Sequence, residues 1–448
     1  MELIYNATLV NECVSGNGYL AISDGVIAEV GLGNPSAELM QHATTRVNAR
    51  GDLVMPGVID DHVHFREPGL TQKADIASES RAAVAGGVTS FMDMPNVVPP
   101  TTTIDTLEDK FERAARHSVA NYSFYIGATA TNIDLLRNVD YSRVCGVKVF
   151  LGSSTGGMLL DDDDALRRLF GTVPALIAAH CEDEGIISAN RERYQAEHGP
   201  YIPATAHQFV RSREACVKSS RRAVELARET GARLHVLHLT TADELDLFDS
   251  DKPLTEKRIT AEACVGHLWF CDDDYSRLGN RIRVNPAVKT RADRDALRQA
   301  VAHGIIDVVA TDHAPHLLSD KCENNIKVAS GMPLAQFSLV TMLELARRGV
   351  FTIEQVVQAM CHAPATLFGI DRRGFLRKGY HADVVQVRLD DDGYIITDES
   401  VMSKCAWTPL AGAVMHSRVM RTWVNGHRAF DQGAITDSTL GQPLTFNR

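Results

Sequence analysis

Apolar and polar positions along this chain fall into two textures. From residue 53 to residue 311, short apolar runs recur at 53–59, 88–93, 122–127, 144–150, 175–179, 234–239, 259–264 and 305–311. Runs of this length, without polar alternation, predict strands buried on both faces, as in parallel sheets. Stretches of helical periodicity lie between them. Residues 74–85 end at Gly86-Gly87, 103–117 begin at the N-cap candidate Thr103, and 208–230 stop at Gly231. A further helix is expected over 363–368. Eight strands alternating with helices predict a TIM-type (β/α)8 barrel.

The chain outside this region reads differently. Strands are expected at 3–10, 18–22, 25–31 and around Arg46, with Ser23-Asp24-Gly25 as a hairpin turn. Strand-like text returns at 382–387, 393–397 and 418–425, followed by the Asn425-Gly426 turn. Neither terminal segment has enough strand to be stable alone. Residues 1–52 and 372–448 are therefore expected to build one small β-sandwich domain beside a barrel of residues 53–371.

Composition mainly excludes. With 448 residues and a net charge of -11, the chain has a sizeable core and no electrostatic case for nucleic acid or an anionic membrane surface. No apolar stretch approaches the roughly 20 residues of a membrane helix, and the N-terminus lacks the zones of a signal peptide. These features point to the cytoplasm. Nine cysteines without a C-x-x-C pair argue against a disulfide framework and a cysteine zinc site. Cys181 has no nucleophile motif around it and reads as a small buried residue.

In a βα barrel, chemistry is carried by residues at the C-terminal ends of strands. The first run leads into Asp60-Asp61-His62-Val63-His64, where two imidazoles two residues apart share one strand face and can grip one metal. The fourth run carries Lys148, the fifth ends at His180, the sixth at His238, and the eighth at Asp312. Four imidazoles and a carboxylate exceed one tetrahedral site and suggest two metals. A lysine ammonium cannot itself bridge them, having no lone pair. His235, three residues before His238, is expected to face the helices or a hydrogen bond. His267 is a supporting or structural candidate near the site, and Asp161 to Asp164 read as a solvated helix start.

His62-Val63-His64-Phe65-Arg66-Glu67-Pro68-Gly69 and Thr311-Asp312-His313-Ala314-Pro315-His316, with Lys148, His180 and His238, resemble the amidohydrolase superfamily. Within it the chain is similar to the class I dihydroorotases. The resemblance implies two Zn2+ ions bridged by a carbamylated Lys148. It assigns His62 and His64 to the first, His180 and His238 to the second, and Asp312 to the first ion and to general base and acid catalysis. It also implies reversible hydrolysis of L-dihydroorotate to N-carbamoyl-L-aspartate in de novo pyrimidine biosynthesis by a metal-activated hydroxide, and assembly as a homodimer.

Arg66 lies two residues past His64, and its planar fork suits a carboxylate. Together with Asn96 of Met94-Pro95-Asn96 and with His316, it is similar to the carboxylate grip of that family. Asn285 and the segment 329–334 resemble its ring contacts, although Met332-Pro333-Leu334 departs from the commoner glycine-richer form. Dihydropyrimidinases and allantoinases share barrel and metals without this Arg and Met-Pro-Asn combination. A non-catalytic scaffold homologue usually lacks ligands, and here every expected position is filled. The polar segment 317–330 is read as a cover over the site.

Overall fold

The computed structural model describes residues 1–152, 157–322, 328–436 and 439–448. Eight parallel strands follow one another in sequence order around one sheet: Val58–Val63, Val88–Asp93, Asn121–Gly127, Gly146–Phe150, Ile177–His180, Leu234–Val236, Ile259–Cys264 and Val308–Ala310. The ring closes between the last and the first. Val63 and His313 form a parallel bridge, and the His64 N–H donates to the His313 carbonyl at 2.8 Å. Beside them the buried Asp60 carboxylate accepts the Thr311 hydroxyl at 2.6 Å and the Thr311 amide at 3.2 Å. A side chain thus takes over work that a ladder does elsewhere in the ring.

The apolar run at 53–59 is divided between two sheets. Leu53–Pro56 lies in a nine-stranded mixed sheet, between the N-terminal strand Glu2–Asn11 and the C-terminal strand Val384–Ile395. That sheet continues through Val14–Ser23 and Val26–Leu32 on one side and through Val414–Val424, His427–Asp431 and Ala434–Ile435 on the other. Both ends of the chain therefore meet on either side of Leu53–Pro56. The joint to the barrel is Gly57, where an added Cβ would lie 2.1 Å from the Thr89 hydroxyl oxygen. Barrel strand one then runs on through Asp60 and Asp61, whose charges belong to the closure and the interior rather than to a surface.

Local signals hold where the chemistry is local. Thr103 caps helix Ile104–His117 through a reciprocal capping box, and Gly231 ends Arg213–Thr230 in the left-handed region at φ 71°. The helix expected over 208–230 is broken into His207–Val210 and Arg213–Thr230. The break falls at Arg211, whose guanidinium pairs with the buried Glu182. The strand expected at 393–397 is the end of Val384–Ile395. Of the segment 317–330, residues 323–327 lie outside the described residues, and Leu318–Lys321 forms a 3-10 turn with Lys321 buried. Among the described residues no helix is long and apolar enough to cross a membrane.

One buried ion pair anchors the loops that carry the site. Asp93, at the end of barrel strand two, accepts the Phe65 N–H at 2.8 Å and pairs with Lys110, which also donates to the Met94 carbonyl at 3.0 Å. This fixes the loop holding Arg66 against the loop holding Asn96. Lys110→Met leaves a buried carboxylate unpaired and is expected to lower the unfolding free energy by about 3–5 kcal/mol. Urea titration measures this, and a change below about 1 kcal/mol would remove the anchor.

Candidate metal centre and substrate cavity

His62, His64, Arg66, Asn96, Lys148, His180, His238, Asn285, Asp312 and His316 all line one cavity, together with Phe150 and Gly331. The first imidazole pair converges on Asp312. Its Oδ1 lies 3.3 Å from His62 Nε2 and 3.0 Å from His64 Nε2. Behind the rings, His62 Nδ1 donates to Glu262 Oε1 at 2.9 Å and His64 Nδ1 to Asn96 Oδ1 at 2.8 Å. Those oxygen acceptors put the protons on Nδ1, so both Nε2 lone pairs face the cavity.

In the second pair the same logic applies to one ring, His180. His180 Nε2 donates to Glu182 Oε2 at 3.0 Å, which leaves its Nδ1 lone pair directed at His238 Nε2, 2.9 Å away. Burial pushes the Glu182 carboxyl up, but the Arg211 guanidinium, the hydrogen bond from His180 and the Lys289 charge together outweigh it and hold the group down at about 2. Burial likewise raises Asp312, and His62 and His64 overcome that, holding its carboxyl well below the usual range. Arg66, His238 and Asp312 sit at φ of 68°, 39° and 49°. Left-handed backbone at such residues costs about 1–3 kcal/mol each, and three instances gather around this one cavity.

Lys148 has no counterpart in this hydrogen bonding. It is buried, its Nζ has no hydrogen-bond partner, and it lies 4.6 Å from the centre of the Phe150 ring. Burial lowers it to about 8. Inward-facing imidazole lone pairs, a carboxylate between two of them and an orphaned amine in Coulombic reach of His62, His180 and His238 form a donor set that fits a pair of divalent ions.

The cavity's other wall carries polar groups. Arg66 Nε donates to the Pro315 carbonyl at 3.0 Å and its Nη2 lies 3.0 Å from His316 Nε2. Lys73 Nζ approaches His316 Nδ1 to 3.0 Å. Asn96 and Asn285 both have their Oδ1 engaged, by His64 and by His207, which leaves each amide nitrogen for the cavity.

Other expectations resolve simply. His313 is not a ligand: its Nε2 donates to Glu79 at 2.8 Å and its Nδ1 accepts from the Leu334 and Ala335 amides. His267 donates to the Pro286 carbonyl at 3.0 Å and lies outside the cavity lining. Burial pushes the Cys181 thiol up to about 12, far from a nucleophile's range. Asp162 caps helix Asp163–Thr172, away from the cavity. His235 makes the expected kind of hydrogen bond, to Thr260 at 2.8 Å, but faces Asp61 in the interior rather than the helices. The left-handed His238 breaks the strict alternation on which the opposite orientation rested. Glu182, Arg211 and Glu262, which orient the rings, were not assigned these roles from sequence. A charge at the end of the buried runs 175–179 and 259–264 was the available signal for the two glutamates. Arg211 carries none.

The profile described as the Amidohydrolase family matches residues 53–428. A dihydroorotase of Halobacterium salinarum is 36% identical over 394 residues, covering 87% of this chain and 89% of its own. An allantoinase of Bacillus velezensis is 30% identical over 426 residues, covering 94% and 91%. In fold, L-hydantoinase (dihydropyrimidinase) from Arthrobacter aurescens superposes with a TM-score of 0.93 over 99% of both chains, at 26% identity. Sequence, fold and donor set agree: the chain belongs to the amidohydrolase family, among its metal-dependent hydrolases of cyclic amides.

Proposed function

We propose that the protein is a dihydroorotase, opening the ring of L-dihydroorotate to N-carbamoyl-L-aspartate and closing it in the reverse direction during pyrimidine biosynthesis. The observation that carries this reading is Arg66. Its guanidinium is buried in the cavity wall, and among the described residues no carboxylate forms an ion pair with it. Asp312, Asp93 and Glu79 act on it only from a distance, and a buried cation without a carboxylate in direct contact gains from a ligand that supplies the anion. Dihydroorotate carries a ring carboxylate suited to that planar fork, whereas hydantoin, dihydrouracil and allantoin do not. The dihydroorotase of Halobacterium salinarum, at 36% identity, supports the same choice.

Lys148 fits a bridging role once carbamylated. Desolvation leaves more of it as the free amine near neutral pH, and a free amine adds to the carbon of carbon dioxide with loss of a proton, giving an anionic carbamate. That group would bridge two zinc ions, one held also by His62, His64 and Asp312, the other by His180 and His238. When bound, the two ions lower the pKa of a water and polarise the amide carbonyl. Asp312 takes the proton of the attacking water and returns it to the ring nitrogen as the C–N bond breaks. Arg66, the Asn96 amide nitrogen and His316 hold the ring carboxylate, and Asn285 contacts the ring.

Initial rates of zinc-supplied protein on L-dihydroorotate, dihydrouracil, hydantoin and allantoin test this. Dihydroorotate is expected to be strongly preferred. Arg66→Met is expected to lower kcat/KM for dihydroorotate by about 10²-fold or more, the effect of losing a buried charge pair, with little change on dihydrouracil. Preference of the unaltered protein for a ring without a carboxylate would overturn the assignment and leave the family membership standing.

A further inference from the structure

Below the histidines, inside the barrel, three side chains of the chain's own interior turn unpartnered atoms toward one another. Asp61, His235 and Glu262 are fully buried. His235 Nε2 lies 3.4 Å from Asp61 Oδ2 and 3.9 Å from Glu262 Oε2, and donor atoms of all three lie within 4.8 Å of one another. Both Asp61 oxygens, Glu262 Oε2 and His235 Nε2 make no hydrogen bond.

Their surroundings fix which atoms are acceptors. The Thr260 hydroxyl donates to the Leu234 carbonyl and so accepts from His235 Nδ1–H, which leaves a lone pair on His235 Nε2. Glu262 Oε1 is already engaged by His62 Nδ1, the His238 amide and the Cys264 thiol, which leaves Oε2 open. Four acceptor atoms therefore meet without a donor. A proton added to His235 Nε2 would serve one of three free oxygens, across 3.4 Å, where charge-assisted N–H···O bonds run about 2.7–2.9 Å. A tetrahedral cation with bonds of about 2.1 Å spaces its donor atoms about 3.4 Å apart.

We propose that Asp61, His235 and Glu262 bind a further divalent cation of the zinc class, separate from the pair at the cavity. One imidazole and two carboxylates carry two negative charges, which such an ion neutralises. Through Glu262 the ion reaches His62 Nδ1, so this site positions a cavity histidine and takes no direct part in the reaction. It does not depend on which cyclic amide is the substrate.

The test is crystallography of full-length protein grown with Zn2+, with anomalous difference maps at the zinc edge, beside metal content by mass spectrometry for the unaltered protein, Asp61→Asn and His235→Gln. The expected result is a zinc peak within about 2 Å of Asp61, His235 and Glu262. Both variants are expected to lose one metal equivalent per chain while keeping the peak beside His62 and His64. A water or no peak at that position in the unaltered protein overturns the site, as does equal metal content in all three proteins. Should the variants fail to fold, the map of the unaltered protein decides alone.

Discussion

Asp312→Asn is expected to lower kcat by about 10³-fold or more while metal content changes little. The carboxylate stands 3.0 Å from His64 and 3.3 Å from His62, on the cavity side of both rings. An amide of the same shape keeps an oxygen there but cannot accept a proton and hand it to a leaving nitrogen. His62, His64, His180, His238 and Lys148 remain to hold metal, so kinetics and metal analysis should part company. Turnover within tenfold of the unaltered enzyme would remove Asp312 from proton transfer.

Lys148→Met should make the two readouts fall together. The lysine Nζ is a buried nitrogen in the cavity wall with no hydrogen-bond partner among the described residues. If it becomes the bridging carbamate, its loss empties the pair of ions and takes activity below about a thousandth of normal. The metal-free variant should at the same time be the more stable protein, by about 1–3 kcal/mol, because an unsatisfied buried amine has given way to an apolar chain of similar length. Metal analysis, steady-state rates and thermal unfolding of the chelated proteins measure the three effects. Full metal occupancy in the variant would contradict the bridge, and a lower melting temperature of its metal-free form would make Lys148 a structural residue.

Much of this molecule is legible in the sequence because the barrel's strands are buried on both faces. Ile259–Cys264 and Val88–Asp93 coincide with their apolar runs to the residue. The same continuity hides a change of sheet, since nothing in the hydrophobicity of 53–59 separates Leu53–Pro56 from Val58–Val63. Of the cavity-lining residues, His62, His64, Lys148, His180, His238 and Asp312 were legible because barrel chemistry gathers at strand ends, and Arg66, Asn96, Asn285 and His316 through the family resemblance. What supports them was not. Glu182 and Arg211 are 29 positions apart, and Glu262 lies 200 from His62. Such pairs are set by three-dimensional closure and leave no spacing to read. His235 shows the limit of periodicity itself, for alternation holds only while the backbone stays extended.

The closure between barrel strands one and eight has a mechanical meaning. A ring whose ends are joined by one carboxylate and a bridge is a split ring with a clasp, and it opens most easily there. His62 and His64 stand on one side of the split and Asp312 on the other. An ion gripped from both sides is a rivet through the clasp, so the protein's durability and its catalytic readiness would be lost in a single event. Chelation would then do more than silence the enzyme: it would loosen the hoop, and a loosened hoop is what proteases and chaperones recognise.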